Sequence, residues 1–159
     1  MTDTVFTIVP SPVGDLVLTG DGAGISRIGF AARTPIDPGW RQDPAPFAAA
    51  ADQLAEYFAG ERRSFELSLA PEGTAFQRRV WAALAAIPYG ETTSYAALAK
   101  AIGHPGSARA VGAANGANPL AIVVPCHRVV GADGTLTGYA GGLDAKRTLL
   151  TLEASPPAA

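Results

Sequence analysis

The residues with chemistry to offer lie in Ile122-Val123-Val124-Pro125-Cys126-His127-Arg128-Val129-Val130, which carries the only cysteine of the chain with a histidine directly after it. The thiolate is the nucleophilic form of cysteine. A thiol with an unperturbed pKa of about 8.5 is only slightly ionised at neutral pH unless an imidazole or a helix N-terminus assists it. His127 is the adjacent helper. The apolar, β-branched neighbours read as an extended segment, on which successive side chains point to opposite sides. A direct thiol to imidazole bond is then awkward, and a bridging water or a bend at Pro125 connects the pair better. The competing reading is a buried structural cysteine beside a surface histidine, because free cysteine is among the most buried residue types.

Composition narrows the setting. With 159 residues, 48% hydrophobic and 16% charged, the chain is a folded protein of one domain or two small ones. A single cysteine forms no internal disulfide, and with only His104 and His127 beside it a structural zinc site is a poor fit. No stretch approaches the roughly 18 consecutive apolar residues of a membrane span, and Met1-Thr2-Asp3-Thr4 lacks the basic start of a secretory signal. The expectation is a cytoplasmic protein with no membrane segment, no metal and no cofactor. Charge divides the chain: up to Gly73, five arginines face ten acids, whereas from Thr74 onward seven bases face four acids. The second half is therefore the candidate surface for a polyanion, with an ordinary solvated face as the alternative.

The elements that must position Cys126 follow from periodicity and punctuation. Phe6–Val9, Leu16–Leu18 and Ile25–Phe30 read as strands around tight turns, residues 31–45 as a proline-rich loop, and Phe47, Ala51, Leu54 and Phe58 as one face of a helix closed by Gly60. Phe65, Leu67 and Leu69 alternate as a short strand, and Pro71-Glu72-Gly73 marks a boundary. The first domain, 1–72, is thus a small α/β unit. The second, 73–159, opens with a capping box at Thr74-Ala75-Phe76-Gln77 and a helix whose apolar face is Phe76, Val80, Trp81, Leu84 and Ile87. A short helix at Tyr95–Ala101, capped by Thr93 or Ser94, and another at Ala108–Gly116 form a helix-turn-helix candidate. Gly134–Tyr139 reads as a hairpin wing, and Leu143–Glu153 as a last helix on which Lys146 and Arg147 are solvent-exposed charges. The tail Ser155-Pro156-Pro157 is expected to fray.

The third of those helices is unusual in bulk. Ala108, Ala110, Gly112, Ala113 and Ala114 leave a smooth surface, and an interior glycine costs up to about 1 kcal/mol relative to alanine. Close packing against another helix explains this as well as close approach to a nucleic acid does. Arg109 is the one long cation on that surface, placed to slip into a groove or a vacated base position.

Taken together, Gly73-Thr74-Ala75-Phe76-Gln77, Ile87-Pro88-Tyr89-Gly90-Glu91-Thr92, Ser94-Tyr95, Arg109-Ala110-Val111-Gly112, Ala114-Asn115-Gly116, Asn118-Pro119, Pro125-Cys126-His127-Arg128-Val129 and Gly138-Tyr139-Ala140-Gly141-Gly142 resemble the O6-alkylguanine-DNA alkyltransferases, also called methylated-DNA-protein-cysteine methyltransferases. The motifs cover the whole second half in order; the first half resembles the family's N-terminal α/β domain only loosely. The resemblance implies an α/β N-terminal domain followed by a mainly α winged helix-turn-helix domain that enters the minor groove of duplex DNA and flips an O6-alkylguanine into a pocket. Cys126 would accept the alkyl group, once per molecule, with His127 as base through a water, Glu153 orienting His127, and Asn118 holding the turn. Tyr95 would help rotate the nucleotide and serve the leaving guanine. Arg109 would fill the gap in the stack, with Ala108, Ala110, Gly112, Ala113, Asn115 and Gly116 along the DNA. Val129, Tyr139 and Ala140 would line the base pocket, Ala140 through its backbone N–H where some members carry serine. O4-alkylthymine is a further candidate substrate, and the protein would act as a monomer, with cooperative assembly on DNA left open. Some members bind zinc on N-terminal cysteines and histidines that this chain lacks. Three other readings use the same residues: a Cys-His hydrolase with Asn118 or Glu153 as orienter, a sequence-specific regulator in which Cys126 is dispensable, and a lesion sensor, a class that lacks the reactive cysteine.

Overall fold

The computed structural model describes residues 4–154, so the expected fraying at Ser155-Pro156-Pro157 lies outside the described residues. The chain forms two compact units that divide between Glu72 and Gly73. In the first, β1 (Val5–Val9), β2 (Leu16–Gly20) and β3 (Ile25–Phe30) make an antiparallel meander, and β4 (Arg41–Gln42) adds to the free edge of β1 in parallel. β2 is central and every residue of it is buried, which is why its sequence is a run rather than an alternation. β4 falls inside the stretch expected to be loop, and short 3-10 turns at Ala31–Arg33 and Ala45–Phe47 flank it. The helix α1 (Ala48–Phe58) buries Ala50, Leu54 and Tyr57 and ends before Gly60, whose φ of 78° suits glycine.

The strand expected at Phe65–Leu69 is reduced to a single bridge between Leu69 and Ile25. Within it, both backbone groups of Glu66 are taken by a side chain: Gln53 of α1 accepts from Glu66 N at 2.9 Å and donates to Glu66 O at 3.0 Å. An amide side chain thus replaces the neighbouring strand.

The second unit begins with α2 (Ala75–Ala85) and its capping box: Thr74 Oγ1 accepts from Gln77 N at 3.1 Å while Thr74 N donates to Gln77 Oε1 at 2.9 Å. Gly73 is glycine for a steric reason, since a Cβ there would stand 2.4 Å from the Trp81 ring. Trp81 in turn donates Nε1–H to Ala114 O at 2.9 Å, tying α2 to α4 (Ala108–Gly116). Between them runs α3 (Tyr95–Ala101), capped by Ser94 Oγ, which accepts from Ala97 N. α3 and α4 pack together as a helix-turn-helix. The two-residue strands β5 (Thr93–Ser94) and β6 (Val129–Val130) pair in parallel, a contact that no pattern in so short a segment announces.

The segment read as extended before Cys126 is instead a series of turns. Val123 N bonds Ala121 O across Ile122, a γ-turn whose centre has a φ of 72°, and Cys126 N bonds Val124 O across Pro125. Residues Cys126–Arg128 then form a 3-10 turn. The wing is likewise a tight turn, closed by Gly131 N to Thr135 O and Gly134 N to Gly131 O, with no strand ladder among the described residues. The last helix is α5 (Leu143–Ala154). No helix among the described residues is long and apolar enough to cross a membrane.

The capping box gives the first prediction. Thr74→Ala removes the bond to Gln77 N and should lower unfolding stability by about 1 kcal/mol in urea titrations; an unchanged midpoint would show that α2 is held by Trp81 alone.

Candidate active site

The turn that carries Cys126 is built on Asn118. Its Oδ1 accepts from Leu120 N at 3.0 Å and its Nδ2 donates to Val124 O at 2.8 Å, while Val124 N closes onto Leu120 O at 2.9 Å. This amide lets an Ala-Ile-Val-Val run bend where its composition favours a strand. Ile122 is buried at positive φ, a conformation that costs a β-branched residue about 1–3 kcal/mol, and burial among apolar neighbours holds it there. β6 starts directly after the turn and pairs with β5, and Tyr95 starts α3 directly after β5. Two residues of parallel sheet therefore tie the segment after Cys126 to the start of the helix that Tyr95 opens.

His127 is fully buried rather than at the surface. Its Nε2–H donates to Glu153 Oε2 at 2.7 Å, and its Nδ1 is buried with no hydrogen-bond partner among the described residues. Facing a carboxylate, Nε2 is the protonated nitrogen, which leaves Nδ1 as a bare acceptor. Arg128 grips the same carboxylate, Nε to Oε1 at 2.7 Å and Nη2 to Oε2 at 3.0 Å, donates Nη1–H to Ile87 O, and lies over the Tyr89 ring. Arg128 was visible in the sequence only as part of a motif; no spacing rule links it to Glu153 across 25 residues.

Electrostatics set the resting state. Burial pushes the Cys126 thiol above its ordinary pKa, and the Asn118 side chain and the Lys146 charge pull it back. Burial also lowers His127, against the raising effect of Glu153 and with Arg128 and Lys146 adding to the fall. At neutral pH the pair therefore rests as thiol and neutral imidazole, with Nδ1 free to take a proton. Tyr139 stands edge-on to His127 with centroids 6.4 Å apart, and its phenol is pushed well above its ordinary range by burial, then by Cys126 and Glu153. Lys146, expected in solvent, is fully buried, with Nζ donating to Thr137 O at 3.0 Å. Arg147 is exposed and pairs with Asp144.

A cavity of about 520 Å³ in the second unit is lined by Tyr95, Ala108, Arg109, Gly112, Asn115, Gly116 and Gly138. A Cβ on Gly112 would meet the Tyr95 ring at an ordinary 3.7 Å, and one on Gly116 would meet nothing within 4 Å. Gly112 and Gly116 of α4 thus border open space, whereas Ala114 is buried and takes the Trp81 hydrogen bond. Arg109 is exposed and has no hydrogen bond or ion pair among the described residues, and Ala110 and Ala113 are exposed beside it. The Tyr95 hydroxyl meets Thr137 Oγ1 at 2.7 Å. Val129 is buried in β6, and Ala140 is exposed. No cluster of three His, Cys, Asp or Glu among the described residues could hold a metal ion.

Residues 75–155 match the 6-O-methylguanine DNA methyltransferase, DNA binding domain family, and residues 4–71 match its ribonuclease-like domain. The chain belongs to the methylated-DNA–protein-cysteine methyltransferases. It is 55% identical over 150 residues to the methylated-DNA–protein-cysteine methyltransferase of Mycolicibacterium paratuberculosis, covering 93% of this chain and 91% of that one. The enzyme of the same name from Methanosarcina acetivorans is 51% identical, with 94% and 98% covered. The crystal structure of Mycobacterium tuberculosis O6-methylguanine methyltransferase superposes with a TM-score of 0.89 at 51% identity, over 96% of this chain and 95% of that one. Mycobacterium tuberculosis OGT in complex with DNA gives a TM-score of 0.90 at 52% identity, covering 94% and 92%. For a methyltransferase of this family the motif residues converge within the second unit, whereas Lys146, Thr137 and Arg128 join the cluster from positions that carried no signal of their own.

A buried neutral histidine has a pH signature. His127 has a lower pKa folded than unfolded, so unfolding takes up a proton below the unfolded value near 6.5, and stability falls as the pH drops through that window. His127→Gln should flatten the decline of the urea midpoint between pH 7 and pH 5. Parallel declines in the two proteins would mean that His127 is already charged in the fold.

Proposed function

We propose that the protein repairs DNA by taking the alkyl group of O6-alkylguanine onto Cys126. The observation that carries this reading is the buried cluster of thiol and neutral imidazole, with Glu153 on one nitrogen of His127 and no partner on the other among the described residues. A water between Sγ and Nδ1 would pass the thiol proton to the imidazole. The sulfur lone pair then forms the S–C bond while the bond from that carbon to O6 breaks, and the electron pair stays with the guanine. The base takes a proton from the Tyr95 hydroxyl, which His127 restores through solvent, so the thiol hydrogen ends on guanine and no cofactor is consumed. Glu153 steadies the imidazolium while it exists.

Reaction at an atom inside the stack requires the nucleotide to leave the duplex, at a cost of a few kcal/mol. The α4 surface suits minor-groove binding: small exposed residues permit close approach, and the free guanidinium of Arg109 is placed to occupy the vacated position. Tyr95 at the cavity helps turn the phosphate backbone. The base would then lie against Tyr139, the Val129 carbonyl and the N–H of Ala140. O4-alkylthymine carries the same alkyl–oxygen bond and is read as a second substrate. The protein acts as a monomer, and cooperative assembly on DNA is compatible with the reading.

A thioether does not hydrolyse or exchange readily, and no second cysteine exists to take the group onward, so each molecule works once. Peptide mass spectrometry after incubation with excess O6-methylguanine duplex should find one methyl per protein, on Cys126. Cys126→Ala should bind the duplex and accept none; a label on the variant would place the nucleophile elsewhere.

Arg109 serves the duplex alone. Arg109→Ala should slow transfer from duplex DNA at least about tenfold more than transfer from the free alkylguanine base, the scale of losing about 1.4 kcal/mol of extrusion energy, whereas Tyr95→Phe, which removes the proton donor, should slow both. Equal losses on both substrates for Arg109→Ala, or none on the free base for Tyr95→Phe, would remove those roles.

A further inference from the structure

α4 carries a buried amide that neither the fold nor the transfer chemistry uses. Asn115 is only 5% exposed, and its Oδ1 lies out of solvent with no hydrogen-bond partner among the described residues. Its Nδ2 makes no hydrogen bond among them either. An amide buried this way costs stability, and leucine, which branches at the same atom, would occupy the position without leaving polar groups unpaired. His127 Nδ1, also buried without a partner among the described residues, is the proton acceptor of the reading above, whereas Asn115 has no part in that path. Its place in the helix is informative. Ala108, Gly112 and Asn115 follow at intervals of four and three residues on one face of α4, and all three line the cavity of about 520 Å³ that Tyr95 and Gly138 also line. Of the other polar side chains at that cavity, the Tyr95 hydroxyl is held by Thr137 and Arg109 is exposed. Asn115 is therefore the buried polar group of this wall whose hydrogen-bonding capacity is unspent.

We infer that Asn115 is a specificity-determining residue that selects guanine, its Oδ1 accepting from the 2-amino group of the flipped base and its Nδ2 donating to an adjacent ring nitrogen. This rests on the transfer reading above, and its failure would leave Cys126 as acceptor. Alkylation at O6 removes the hydrogen from N1, so the lesion presents an amino donor flanked by two ring-nitrogen acceptors, N1 and N3. A carboxamide complements either adjacent pair, by the same logic that pairs asparagine with the donor and acceptor of adenine in the major groove. Because neither end of the Asn115 amide is bonded among the described residues, rotation about Cβ–Cγ breaks no hydrogen bond, and the arriving base meets Oδ1 without a competitor to displace. O4-alkylthymine offers acceptors alone along the corresponding edge, at N3 and O2. It would leave Oδ1 as unpaired as it is in the free protein, so the same amide ranks the guanine lesion above the thymine one.

The test compares alkylation of Cys126 in the whole protein by two free bases, O6-alkylguanine and O6-alkylhypoxanthine, which differ only in the 2-amino group. Free bases keep extrusion from the duplex out of the comparison, and the quantity read is the ratio of the two rates. Wild type should prefer the guanine base. In Asn115→Leu that preference should fall about tenfold, the scale of one hydrogen bond worth about 1.4 kcal/mol, with most of the loss on the guanine base. Asn115→Ala, which adds no bulk to the cavity, should show the same fall and decides the question if the leucine variant does not fold. A ratio unchanged in the variants, whether both rates hold or both drop together, would overturn the inference, leaving the amino group to the Val129 carbonyl and Asn115 as a packing residue. A wild type indifferent to the amino group would overturn it as well. Failure of the parent reading looks different, since wild-type Cys126 would then take no alkyl group from either base or from the duplex.

Discussion

One carboxylate holds the second unit to its chemistry. Glu153 sits in the last turn of α5 and accepts from His127 Nε2 and from two nitrogens of Arg128, all out of solvent. Its two oxygens are thus shared between a neutral ring that must stay oriented and a cation that must stay neutralised. A buried carboxylate with fewer donors would be expensive, and breaking one such pair typically costs 3–5 kcal/mol. Because both donors belong to the Cys126–Arg128 turn, the same bonds that satisfy the charge fasten α5 to the backbone that carries Cys126.

The turn itself is held against its own composition. Ala121–Val124 is a run that would pair as a strand if a strand were offered, and Ile122 at positive φ is strained. Asn118 supplies from one side chain the donor and acceptor that a neighbouring strand would have given. The strain is compensated by burial of Ile122, Val124 and Val129. What the chain gains is a sharp presentation of Sγ and Nδ1 from a rigid base, after which β6 returns at once to pair with β5 and fixes Tyr95 across the site. The device of an amide side chain replacing a strand recurs in the first unit, where Gln53 takes both backbone groups of Glu66.

Local signals were therefore read well and long-range ones were not. The capping box at Thr74, the Ser94 cap, the helix at Ala108–Gly116 and the meander of β1 to β3 each depend on residues within a few positions of one another, and each is present. The short strand at Phe65–Leu69 and the extended reading before Cys126 failed for a shared reason: propensity speaks of a backbone's preference, and a single Gln or Asn elsewhere overruled it. The candidate site was legible as a set of residue types through its motif resemblance, while its wiring was not. Nothing in the sequence says that Arg128 reaches Glu153, that Trp81 holds Ala114, or that Lys146 turns inward while Arg147, its neighbour, turns out. On α5 those two are about 100° apart, and the charge that a composition count assigns to solvent sits buried on the carbonyl of Thr137.

The smooth face of α4 shows how a structure separates two explanations that a sequence leaves level. Glycine and alanine along a helix mean close packing or deliberate vacancy, and both predict the same letters. Here the test is whether a methyl group would collide: at Gly73 it would, with Trp81, and at Gly116 it would meet nothing. Gly73 is small because something is there; Gly116 borders open space. The vacancy borders Tyr95 and Arg109, whose polar ends have partners of very different strength, one on Thr137 and the other in solvent. A guanidinium with no partner to give up costs nothing to redeploy, whereas a tyrosine hydroxyl held at 2.7 Å must exchange one hydrogen bond for another. The arginine is thus free to change its surroundings, while the tyrosine is held in place by Thr137.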